Sequence, residues 1–90
     1  MLDVEEVSIT KNIKVYPVPS KDKITVDVNG NDQKPVQLAL YDLNGTLIFS
    51  HEIYDTYVMD IQSLNIQQGM YVLRVEGENL FEVHKIVYAP

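Results

Sequence analysis

Val36-Gln37-Leu38-Ala39-Leu40-Tyr41-Asp42-Leu43-Asn44-Gly45 is the stretch on which the fold turns. Val36, Leu38 and Leu40 fall on one face at the two-residue period of a β-strand. Asn44-Gly45 follows, lying between this apolar run and the next. Both residues accept positive φ, so the pair predicts a tight hairpin.

The same grammar extends in both directions. Upstream, Ile24-Thr25-Val26-Asp27-Val28 alternates cleanly, and Asn29-Gly30-Asn31-Asp32 supplies turn chemistry after it. Residues 12–16 give a shorter strand, closed by Pro17 and Pro19. Proline removes a ladder donor and fixes φ, which places this segment at a sheet edge or a kinked crossing. Downstream, the strand from Thr46 to Ile53 is mixed: Ile48 faces opposite to Leu47 and Phe49, and its buried face stays open. Tyr54-Asp55-Thr56 turns the chain, after which Tyr57, Met59 and Ile61 share a face. Gln62 to Gln68 is a polar connection anchored by Leu64 and Ile66. Met70 to Glu76 is a strand in which Tyr71, Leu73 and Val75 alternate with Met70, Val72 and Arg74. Gly77-Glu78-Asn79 turns, and Phe81 to Tyr88 closes the chain.

About seven short, mainly antiparallel strands without a helical period predict an all-β chain, folded as a single immunoglobulin-like β-sandwich. Tyr71, just inside a late strand and two residues after Gly69, suits a tyrosine corner, its hydroxyl bonding upstream backbone; a Tyr that simply packs is the alternative. With no Trp and no Cys, the chain is not an antibody-type domain.

Ninety residues make one domain with a modest core. Residues 1–11, with Asp3, Glu5 and Glu6, read as an acidic linker or lead-in, and residues 12–90 as the domain. The absence of cysteine excludes disulfide staples and thiolate metal sites. No run reaches the roughly 18 apolar residues of a membrane span. No basic and then apolar leader opens the chain, so a signal peptide is expected upstream in any exported parent protein. Thirteen acidic against 7 basic residues give a formal charge of −6, which repels phosphate backbones and anionic headgroups. The basic residues are scattered, and neither nucleic-acid binding nor membrane insertion is expected.

Little here predicts catalysis. His51 and His84 lie in different strands, without a second ligand type at metal spacing. Asp27-Val28-Asn29-Gly30-Asn31 imitates the start of a calcium loop. The imitation ends where Asp32 replaces the glycine and Leu38 the glutamate that such a loop needs. No glycine-rich phosphate loop and no nucleophile elbow is present, and the serines have no evident base partner. The sequence therefore predicts no catalytic, cofactor-binding or metal-binding residue and no enzyme. Tyr54, Tyr57 and Tyr88 could form a carbohydrate platform, although Tyr is common in strands for packing reasons alone.

The linear order of the motifs carries more. Val15-Tyr16-Pro17-Val18-Pro19 comes first, followed by Lys21, Asp22, Lys23 and the Ile24–Val28 strand. Leu40-Tyr41-Asp42-Leu43-Asn44-Gly45 is next, then Leu64 with Gly69-Met70-Tyr71, and finally Lys85-Ile86-Val87. In this order the chain resembles, over residues 12–90, the type A C-terminal sorting domain of cargo of the type IX (Por) secretion system of Bacteroidetes. The motif positions are Tyr16, Pro17, Pro19, Asp42, Asn44, Gly45, Leu64, Gly69 and Tyr71. Two departures stand out. Val18 occupies the place of the family's usual asparagine, and Ala89-Pro90 that of a terminal basic residue.

The resemblance implies a non-enzymatic secretion signal, carried behind a cargo domain that crosses the periplasm to the cell surface or the medium. It implies recognition by the outer-membrane machinery and removal by a sortase-like peptidase, with residues 1–11 containing or adjoining the cut. The element read by the machinery would be the closing strand, Lys85, Ile86, Val87 and Tyr88, whose edge backbone suits strand addition. An ordinary closing strand with an edge lysine is the plainer reading of the same residues. The competing function is an accessory carbohydrate- or protein-binding spacer sandwich of a surface enzyme.

Overall fold

The computed structural model describes residues 13–28, 34–78 and 80–90. The acidic lead-in with Asn12, the Asn29–Asp32 turn and Asn79 lie outside the described residues.

Among the described residues, seven strands form two sheets. They are β1 (Lys14–Tyr16), β2 (Lys23–Asp27), β3 (Val36–Tyr41), β4 (Leu47–Ile53), β5 (Tyr57–Asp60), β6 (Gly69–Gly77) and β7 (Leu80–Tyr88), and every strand pairing is antiparallel. One sheet has the order β1-β2-β5 and the other β4-β3-β6-β7. The chain changes sheet between β2 and β3, between β4 and β5, and between β5 and β6. That interleaving is a Greek-key connectivity, and the two sheets form the β-sandwich that the sequence predicts.

The alternation read from the sequence places the core. Ile24, Val26 and Met59 from the smaller sheet face Val36, Leu38, Leu40, Leu73, Val75 and Ile86 from the larger, all at most 1 % exposed. Each such side chain contributes about 1.5–3 kcal/mol by leaving water. At the β4–β5 side the sandwich is closed by rings: His51 and Tyr57 lie 4.8 Å apart between centroids, with Phe49 6.4 Å from Tyr57.

The mixed strand has a physical cause. Leu40 pairs with Phe49, but Tyr41 pairs with Leu47, so Ile48 is the extra residue of a β-bulge. The bulge reverses the face on which side chains fall. Phe49 and Ile53 turn inward, whereas Leu47 lies with Tyr41 on the outer face.

The hairpin at Asn44-Gly45 forms, but not as a two-residue turn with positive φ at both positions. Only Gly45 takes positive φ, at 87°; Asn44 does not. The loop is Leu43–Gly45, closed by Gly45 N–H donating to Asp42 O and Asp42 N–H donating to Thr46 O. The Asp42 carboxylate stabilises it by accepting from the N–H groups of Asn44 and Thr46, both at 2.9 Å.

The polar connection after β5 contains one turn of 3-10 helix, Ile61–Leu64, capped by Asp60. Ser63 N–H donates to the Asp60 carboxylate, Ser63 Oγ donates to Asp60 O, and Asn65 ends the turn in the left-handed region. Short and polar, it shows no apolar period that a sequence pattern could register.

Candidate functional site

The motif residues named from the sequence lie at three places in the fold. Asp42, Asn44 and Gly45 make the β3–β4 hairpin described above. Leu64, Gly69 and Tyr71 make the crossing from the smaller sheet to β6. Gly69 has φ 145°, a region that glycine alone occupies comfortably, and opens β6. Leu64 packs against the core. Tyr71 is buried, and its hydroxyl donates to Gln67 O four residues upstream, so the tyrosine corner is formed. Both sites hold the fold together rather than presenting chemistry.

Tyr16, Pro17 and Pro19 lie between β1 and β2. The Tyr16–Pro17 and Val18–Pro19 peptide bonds are both cis. Tyr16 and Val18 are exposed. The residue that matters most at this place is Ser20, which the sequence does not single out. It is fully buried and sits against the outer side of β7. Ser20 N–H donates to Val87 O at 2.8 Å, Ser20 O accepts from Ala89 N–H at 2.8 Å, and Ser20 Oγ donates to Val87 O at 3.3 Å. Together these make a parallel bridge between Ser20 and Tyr88. The loop between two strands of the smaller sheet thus straps the end of the larger sheet. Next to it, Gln62 N–H donates to Asp22 O and ties the 3-10 turn to the same loop. A lone serine carries no periodic signal, so only the assembled chain identifies it.

The closing strand splits into two sets. Ile86 and Tyr88 point into the core, at 0 % and 6 % exposure. Lys85 and Val87 are half-buried on the outer face, in register with Val72 and Met70 of β6. Of the four residues expected to be read by a partner, the inward pair is therefore covered in the folded domain. The outer face continues through Val83, Phe81, Val72 and Tyr41. There the Arg74 guanidinium lies 5.3 Å from the centre of the Tyr41 ring, and Arg74 Nε lies 3.7 Å from the Glu76 carboxylate. A shallow depression on this face is lined by Tyr41, Leu43, Val72, Arg74 and Val83.

The inner face of β7 carries polar side chains as well. Glu82 is 3 % exposed, with its carboxylate 2.6 Å from His84 Nε2. His51, by contrast, lies on β4 with its ring tilted against Tyr57. Among the described residues no group of three or more His, Cys, Asp or Glu could hold a metal ion. The three tyrosines considered as a carbohydrate platform do not share a surface. Tyr88 is buried, Tyr57 is half-buried with its ring tilted against His51, and Tyr54 alone is exposed.

A family model described as a secretion system C-terminal sorting domain matches residues 14–89. The match runs from the first residue of β1 to just past the end of β7, so it covers both the Ser20 strap and the strand it holds. No curated protein matches the chain.

Proposed function

Because the chain belongs to the family of type IX secretion C-terminal sorting domains, we propose that its closing strand, β7, is the element the outer-membrane machinery recognises. The domain is a non-catalytic secretion signal, and its cargo is a secreted or cell-surface protein. Its partners lie within the type IX secretion machinery.

The observation that carries the proposal is the placement of β7. It is one of the two outermost strands of the larger sheet, with β4 at the other edge, and it is the one held at its end by Ser20. An outermost strand offers backbone groups and a side-chain face that inner strands do not. Lys85 and Val87 are the members of the closing motif that remain reachable. Ile86 and Tyr88 serve by fixing the strand to the core. After transit through the periplasm, a sortase-like peptidase removes the domain by cutting within or beside residues 1–11, which join it to the cargo.

The test is a reporter with a signal peptide, fused ahead of residues 1–90 and expressed in a type IX host. The wild-type fusion reaches the surface. Lys85→Glu with Val87→Asp, which leaves the core residues untouched, holds the reporter in the periplasm. Normal display of that double variant would overturn the assignment to β7.

A further inference from the structure

We propose that the docking site on β7 is its backbone edge at Phe81, Val83 and Lys85, that an extended peptide strand of the secretion machinery adds there, and that Ser20 ends the site at Val87. The inference rests on the reading that β7 is the recognised element, and specifies how it is read.

Three observations lead to it. First, Val87 O and Ala89 N–H are turned away from β6, because Ser20 holds both. In an antiparallel pair the backbone groups of successive residues point to opposite sides, so Lys85, Val83 and Phe81 present theirs to the same outer side. Among the described strands, none pairs with them there.

Second, the edge is built for pairing along its whole length. β7 runs from Leu80 to Tyr88 without proline, and its register with β6 is unbroken from Gly77↔Leu80 to Gly69↔Tyr88. No bulge twists it away, which is the usual protection of an outer strand. Each of the three residues offers one donor and one acceptor at strand spacing, which is what an extended peptide satisfies.

Third, Ser20 already demonstrates the mode. A backbone arriving from elsewhere in the chain sits on this edge at 2.8 Å on both sides of Tyr88, so the edge accepts a backbone at bonding distance. The same contact closes Val87 and Ala89 to any other strand. An added strand therefore lies against Phe81–Lys85 and stops there, which sets its register. Lys85, on the outer face beside the edge, favours a carboxylate in the added strand.

Edge proline substitution separates backbone reading from side-chain reading. Proline is tolerated on an outermost strand where the N–H points outward, and at Val83 or Lys85 it removes no β6–β7 bond. In the reporter fusion, Val83→Pro and Lys85→Pro are expected to lower surface display by about tenfold or more, the equivalent of one or two lost hydrogen bonds. Lys85→Gln, which keeps the backbone, stays within about twofold of wild type, as expected for the loss of one exposed charge. If both proline variants are displayed normally while Lys85→Glu with Val87→Asp is blocked, the side-chain face is what is read, and the edge proposal is overturned. If all of these variants are displayed normally, the reading of β7 itself fails.

Amide hydrogen exchange on the wild-type domain decides the matter should the proline variants not fold. The amides of Val83 and Lys85 exchange much faster than those of His84 and Ile86 in the free domain. They gain protection when detergent-solubilised outer membranes of the host are added. Protection of Val83 and Lys85 in the free monomer means that the chain covers its own edge, and overturns the proposal. So does a wild-type domain that is dimeric in solution and becomes monomeric in Lys85→Pro, which assigns the edge to a second copy.

Discussion

Ser20 and Val87, 67 residues apart in sequence, are joined by two hydrogen bonds to a single carbonyl: the Ser20 N–H at 2.8 Å and the Ser20 hydroxyl at 3.3 Å both donate to Val87 O. The proline-bounded loop and the closing strand, which look like separate motifs in sequence, form one structural unit.

The strength of that unit is testable by substitution. Ser20→Ala keeps the backbone bridge and loses only the hydroxyl bond, at a cost of about 0.5–1.5 kcal/mol. Ser20→Pro also removes the N–H and leaves Val87 O without its donor, so it costs more, about 2–3 kcal/mol. Urea unfolding of the two variants measures both; equal costs would show that the Ser20 N–H bond to Val87 O contributes nothing.

Tyr71→Phe removes the hydroxyl bond to Gln67 O while keeping the ring in the core. The expected loss is about 1 kcal/mol in unfolding free energy. Tyr71→Ala removes the ring as well and costs about 3–5 kcal/mol. A Phe variant as stable as wild type would reduce the corner to packing.

The two positive-φ glycines among the described residues differ in what they tolerate. Gly45, at φ 87° with open space around the position of a Cβ, accepts Asn at little cost, because Asn enters the left-handed region readily. Gly69, at φ 145°, lies where other residues are strained, and Gly69→Ala costs about 1–3 kcal/mol. Thermal unfolding ranks the two, and the opposite order would contradict the backbone assignment.

The Lys34 ammonium, 2.7 Å from the Glu78 carboxylate, holds that carboxyl below its ordinary range by hydrogen bond first and charge second. A folded-state value below the unfolded one means that the pair's contribution is present at neutral pH and is lost as pH falls through the folded value. Both side chains are well exposed, so the contribution is small and screened by salt. In Lys34→Gln the Glu78 midpoint rises towards that of an ordinary carboxylate, as read from side-chain carbonyl shifts in an NMR titration. An unmoved midpoint would assign the depression to another group.

Much of this fold is legible in the sequence, because strand alternation and turn chemistry are local. Ile24, Val26 and Val28, and again Val36, Leu38 and Leu40, fall on the buried face as the two-residue period requires. Three features escape that logic. The bulge at Ile48 breaks the period from within, so no face assignment over Leu47–Ile53 could hold throughout. The turn at Asp42–Thr46 depends on the Asp42 carboxylate reaching two backbone amides, which favours a longer loop than Asn44-Gly45 alone suggests. The Ser20 strap depends on where the two sheets come to lie. The closing strand was half legible: alternation separates Ile86 and Tyr88 from Lys85 and Val87, but which pair faces inward follows from the register with Tyr71 and Gly69.

The strap also couples the closing strand to the core. A change that pulls Val87–Ala89 away from Ser20 takes both of its backbone partners and, with them, the buried Tyr88 next to Ile86. Order at the end of β7 and order in the core are therefore one property, and neither can be lost alone.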